Sequence, residues 1–144
     1  MSRLVDTQRA YDRISQLLDQ EMRNRKGSTT ELERFRQTLD VAFYLLGWAQ
    51  FEYLVRKEAE DQIEAKAKGH TVERHAWNYL KANLKGLAVR LRLDIIFHGN
   101  PVVRNSLDKD YTLRNEAAHD YKLPKEAKDI SGWLKSLEKL VDDF

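Results

Sequence analysis

Cysteine is missing from the chain altogether, which removes disulfides, thiol catalysis and thiolate metal sites in one step and agrees with a reducing compartment. Proline occurs twice and glycine six times, so few positions force a turn. No window reaches the unbroken apolar length of a membrane span. The opening MSRLVDTQRAYDR is charged from its third residue and lacks the apolar core of a secretory signal, so the expected location is cytoplasmic. Lysines and arginines are spread without a basic block and the net charge is +2, so charge alone neither marks nor excludes nucleic-acid binding. No helix concentrates basic residues on one face and no helix-turn-helix stands out, which leaves little for a duplex-DNA reader. A glycine-rich phosphate loop, a serine elbow and a catalytic pair of carboxylates are also absent.

What is present is helix. Hydrophobic residues make up 42% and charged residues 33% of 144 positions, the balance of a folded helical protein of one domain, residues 1–144. Leu4, Ile14, Leu17, Leu18 and Met22 recur at helical spacing until Lys26-Gly27-Ser28 ends the first helix. The second opens on Thr30 and Glu33 in a capping-box arrangement and runs to about Lys68, where Gly69 stops it. Leu32, Phe35, Leu39, Ala42, Leu46, Ala49 and Tyr53 form one seam on this helix, expected to face the bundle. Val41, Tyr44, Trp48, Phe51 and Val55 form a second, so the middle of the helix is apolar nearly all round. A helix wrapped on every side is either central or docked against a second copy, and Gly47 with Ala49 would admit a close helix there; a homodimer is expected.

Residues 71–97 form a third helical region, with a bend expected at Gly86. Asn100-Pro101 caps a fourth that leads to about Tyr121, with an interruption expected near Asp108 to Asp110. Pro124 blocks its continuation, and a last amphipathic helix covers about 125–142. The expected fold is all-α: an up-and-down bundle of four to five helices around one long central helix.

Chemistry concentrates in YTLRNEAAHDY, residues 111–121. On a helix, Asn115 and His119 are four apart and share a face, and Arg114 reaches round toward them. Ala117 and Ala118 leave room beside them, and Tyr121, where the helix is ending, is expected to project into the same opening. Arginine offers a permanent charge and a fork of donors to phosphate oxygens, and histidine exchanges protons near neutral pH. Without metal ligands or cysteine, this set suits attack on a phosphodiester. In RNA the 2′-hydroxyl already supplies the nucleophile, which leaves alignment and proton transfer to the protein. One histidine per chain serves as base or acid; two chains supply both.

The run Arg114-Asn115-Glu116-Ala117-Ala118-His119 resembles the R-x(4 to 6)-H motif, with a polar residue after the arginine, of HEPN domains. The long helix with Phe51-Glu52 in an apolar run and the near-final place of the motif resemble that family's layout. The resemblance implies a helical bundle, commonly a homodimer, and a metal-independent RNA endonuclease of a toxin–antitoxin, phage-defence or RNA-processing system. It implies that two copies of the motif meet at the dimer cleft, with Arg114 on the phosphate, His119 on the proton and Asn115 orienting the histidine or the substrate. No cofactor is implied. With Asp120 and Tyr121 the motif resembles that of HEPN toxins paired with a nucleotidyltransferase antitoxin, in which the tyrosine is a nucleotidylation target.

Other readings stand beside these. Glu52, costly inside an apolar stretch unless paired, either bonds Arg56 one turn on or faces the motif. Arg92 and His98 also meet the loose spacing, but Leu93 follows the arginine and the histidine sits at a glycine-bounded helix end, so that pair reads as structural. His70 and His75 lack i,i+4 spacing and an acidic third ligand, so they read as surface residues and no metal is expected. Trp48, Trp77 and Trp133 sit at packing positions. The competing functional class is a catalytically silent helical module that dimerises or binds a nucleotide or protein and carries the motif only as a polar patch.

Overall fold

The computed structural model describes residues 3–144, the side chain of Glu126 excepted. The described residues hold six α-helices and no strand: α1 (Arg3–Asn24), α2 (Thr30–Ala67), α3 (Arg74–Ala82), α4 (Val89–Ile96), α5 (Pro101–Asp120) and α6 (Ile130–Asp142). The class is all-α as expected, and the count exceeds the expected four to five because 71–97 is broken and not merely bent. Asn83 leaves helical geometry while its Nδ2 donates to Tyr79 O at 2.8 Å, and Leu87 and Ala88 are extended. Gly86 is not where the chain turns out of the helix. Conversely, α5 runs unbroken through Asp108 to Asp110. Asn100 starts it by accepting from Val103 N–H at 3.2 Å.

The start of α2 is shifted one residue from the expected box. Thr29 O accepts the backbone N–H of Glu33, and Thr29 Oγ1 bonds the Glu33 carboxylate at 3.0 Å. Ser28 Oγ accepts from Thr30 N–H. At the other end of the chain, a 3-10 turn covers Lys125–Ala127 and α6 begins only at Ile130, where Asp129 Oδ1 caps Gly132 N–H at 3.0 Å.

The chain forms two compact units, and α2 and α5 contribute to both. The first comprises the described residues up to Phe51 together with Thr112–Asp143. Its core is Leu4 and Tyr11 of α1, Tyr44, Trp48 and Phe51 of α2, and Ile130, Leu134 and Leu137 of α6. Each such large side chain, fully withdrawn from water, contributes roughly 1.5–3 kcal/mol. The Trp133 ring stands 4.6 Å from that of Tyr44 and 6.1 Å from that of Trp48, centre to centre. Gly47 is what lets α6 come this close, since a Cβ there would lie 2.5 Å from Leu134 Cδ2 and 2.7 Å from Trp133 Cζ3. The expectation that Gly47 receives a second copy is therefore corrected: the approaching helix is α6 of the same chain.

Of the two seams of α2, both expected to be covered, the second is the buried one, and the first has Leu32 in the core. Tyr44, Trp48, Phe51 and Val55 are buried and the stripe continues through Ala59 and Ile63. Phe35 (53% exposed), Leu46 and Tyr53 (54%) face outward with Ala42 and Ala49. At 100° per residue the second stripe lies nearly opposite the first, so one helix cannot turn both toward a single core. Ile14 and Leu17 of α1 are likewise exposed, because the buried part of α1 is its first half, Leu4 to Tyr11. Arg36 ties the second half of α1 to α2, donating to Ser15 Oγ at 2.6 Å and to Asp19.

The second unit, Glu52–Tyr111 with Phe144, buries Val55, Ala59 and Ile63 of α2, Leu93 and Ile95 of α4, Phe97, and Leu107 of α5. Charged groups join α4 to α5: Arg104 Nε bonds Asp94 Oδ1 at 2.5 Å and Arg90 Nε bonds Asp108 Oδ1 at 2.7 Å. The Lys66 ammonium lies 4.5 Å from the Trp77 ring centre, beside the half-buried face of α3.

Two outcomes test this packing. Gly47→Ala should lower stability in denaturant unfolding, because overpacking of about 1–3 kcal/mol exceeds the ~1 kcal/mol gained in helix propensity; a more stable variant would contradict the close approach. Burial, with a 2.7 Å hydrogen bond to Asp40 Oδ1, raises the Tyr11 hydroxyl to about 12. A group held above its unfolded value of about 10 stabilises fully below that pH and loses its contribution as pH rises toward 12. Stability should thus fall between pH 10 and 12, and Tyr11→Phe should lose that part of the pH dependence.

Candidate active site

The motif lies in the last turns of α5, within the first unit. Arg114 is half-buried with Nε shielded from water, and its Nη1 donates to Asn115 Oδ1 at 2.9 Å. The guanidinium is thereby turned toward the side of the helix that carries Asn115 and, one turn on, His119. The His119 side chain is 89% exposed, with Nδ1 3.2 Å from Asp120 Oδ1. With the shared proton on Nδ1, Nε2 is an acceptor open to an incoming hydroxyl. Ala117 is buried and Ala118 partly so, hence the space expected beside both is confined to Ala118. A half-buried cation and an exposed imidazole at one helix end are groups that can hold an anionic ester and move a proton at it.

Tyr121 ends the helix in an unusual way. It is 78% exposed with φ 54, the left-handed region that bulky side chains avoid. Instead of opening onto the motif, it lines a groove of about 780 Å³ on α2. A smaller groove of about 270 Å³ lies along Leu113, Ala117 and Pro124. Arg114, Asn115 and His119 line neither groove. Glu52 belongs to the second unit, half-buried with Oε1 shielded from water, while Arg56 lies over the Tyr53 ring at 5.9 Å.

The second Arg–His pair is held by backbone: Arg92 Nη2 donates to Leu84 O at 3.1 Å and His98 Nδ1 lies 2.9 Å from Ile95 O. His70 and His75 are exposed, and among the described residues no His, Asp and Glu cluster could hold a metal. No described helix is long and apolar enough to cross a membrane.

Sequence reasoning missed Arg34 and Lys122, which line the groove with Tyr121. Arg34, Thr38, Val41 and Leu45 step along α2 by four, three and four, a third stripe overlooked because its members are too mixed in polarity to stand out. Asp120 was noticed only as a spacer, and it is the side chain beside His119 Nδ1.

Comparison with known proteins adds no relative: no family model, no curated protein and no solved structure matches the chain.

The strain at Tyr121 can be measured. Tyr121→Gly should stabilise the protein by about 1 kcal/mol, since glycine adopts positive φ freely and little buried area is lost. A destabilised variant in thermal or denaturant unfolding would contradict the assigned backbone conformation.

Proposed function

We propose that the chain is a HEPN-like, metal-independent RNA endonuclease. The observation that carries this is the pairing of a half-buried Arg114, bonded to Asn115, with the solvent-facing imidazole of His119 one turn beyond that asparagine. The 2′-oxygen attacks the neighbouring phosphorus, the bond to the 5′-oxygen breaks, and the products are a 2′,3′-cyclic phosphate and a 5′-hydroxyl. Arg114 holds the phosphate and stabilises its growing charge. His119 transfers a proton, and Asn115 keeps the guanidinium oriented.

The enzyme acts as a homodimer, whose two histidines divide the roles of base and acid. Support comes from the bare apolar stripe of Phe35, Leu46 and Tyr53 on α2, a face that a second copy would cover. The setting is a cytoplasmic toxin or defence ribonuclease restrained by an antitoxin protein such as a nucleotidyltransferase, for which exposed Tyr121 is the acceptor. Glu52 ranks below these as a supporting residue.

The second reading, a silent dimerisation or ligand-binding module, draws on the absence of the three motif residues from both grooves. The two are separated by incubating purified protein with single-stranded RNA in chelator. Wild type should cut, His119→Ala should lose at least about 100-fold in rate, and Arg114→Lys should lose a similar amount because the fork geometry is gone. Undiminished cutting by His119→Ala would end its assignment, and no cutting by any form, with partner binding unchanged in Arg114→Ala, would favour the silent module.

A further inference from the structure

The groove beside Tyr121 has the size of a small-ligand site, about 780 Å³. Val41, Ala42 and Leu45 of α2 and Leu123 are its apolar lining, and Tyr121 lines it as well. Arg34 and Lys122 supply two cations to the lining; Asp40 supplies one carboxylate, which already accepts the Tyr11 hydroxyl at 2.7 Å. The groove therefore combines an aromatic residue, an apolar lining and a net positive charge. That combination fits one nucleotide unit, with a base lying on a ring and a phosphate held by cations, and it serves any base because every base has a flat face. A second copy of the chain would instead be drawn to the apolar stripe of Phe35, Leu46 and Tyr53, which lies about a quarter-turn round α2 from the groove.

Position and strain agree with this occupant. Tyr121 is two residues beyond His119, at most ~7 Å of chain. It is held at φ 54 with its ring largely in water, a conformation that packing within the chain does not reward. We infer that this groove is the subsite for a nucleotide flanking the scissile phosphate of single-stranded RNA, with Tyr121 stacking on its base and Arg34 and Lys122 holding its phosphate. The inference rests on the nuclease reading for the adjacent cut and on the groove's own chemistry for the binding.

The test is fluorescence anisotropy of a labelled single-stranded RNA oligonucleotide in chelator, on His119→Ala protein so that the strand stays whole. Tyr121→Ala should weaken binding by about tenfold, and Tyr121→Phe should preserve it. Gln37→Trp, at an exposed position of α2 in the same groove and away from the stripe of Phe35, Leu46 and Tyr53, should weaken it comparably, which guards against a misfolded tyrosine variant. Arg34→Ala and Lys122→Ala should each lower the slope of log affinity against log salt by about 0.7. Wild-type cutting with unchanged binding by Tyr121→Ala and Gln37→Trp would overturn the subsite and leave the nuclease standing. Tyr121-dependent binding without cutting by wild type would keep the subsite and remove the nuclease. A fall in solution mass in these variants, with RNA affinity unchanged, would make the groove a protein interface and overturn the inference, as would absence of binding by every form.

Discussion

The close seating of α6 on Gly47 decides which side of the long helix faces inward. With no side chain at that position, Leu134 and Trp133 reach the α2 backbone, and the Trp133 ring packs against Tyr44 and Trp48. The face that carries those rings then becomes the interior of the first unit, and α1 closes over it through Leu4 and Tyr11. The opposite stripe of Phe35, Leu46 and Tyr53 is left in water as a consequence. A helix that is apolar on two faces with one of them bare invites association, which is the physical ground for a dimer.

The polar end of α5 follows from the same packing. Ala117 is buried, the Arg114 Nε is shielded from water, and its Nη1 is held by the Asn115 side chain. Asn115 and His119, further round the helix, stay outside. Fixing a cation while leaving an imidazole free is a useful division for phosphodiester chemistry. Charge stabilisation gains from a rigid donor, and proton transfer needs access to substrate and water. The left-handed turn at Tyr121 then directs the chain off the helix end, where Tyr121 lines one groove with Arg34 and Lys122.

Much of this was legible in the residues. The helical class, the great length of α2, its stop before Gly69 and the start of α5 at Pro101 follow from periodicity, capping and the positions of glycine and proline. The orientation of α2 was not legible, because its two stripes are nearly equal in apolar character and only a partner can choose between them. Gly47 looked like a contact for another copy because sequence does not say which helix approaches; the partner, α6, lies about 85 residues further along. The break between α3 and α4 was hidden because its agents, Asn83, Leu87 and Ala88, are ordinary residues, while the conspicuous Gly86 has open space around it. Within the motif, the expected reach of Arg114 is met toward Asn115, to which its guanidinium donates. Spacing did not suffice for Tyr121, whose direction depends on one backbone angle beyond the helix.

The measurement that bears most directly on the central claim is cleavage of two matched single-stranded RNAs in chelator, one natural and one with every 2′-hydroxyl methylated. If Arg114 and His119 promote attack by the 2′-oxygen, the natural strand is cut to ends bearing a 2′,3′-cyclic phosphate and the methylated strand stays intact. Equal cutting of both strands would contradict that chemistry and with it the role assigned to the motif.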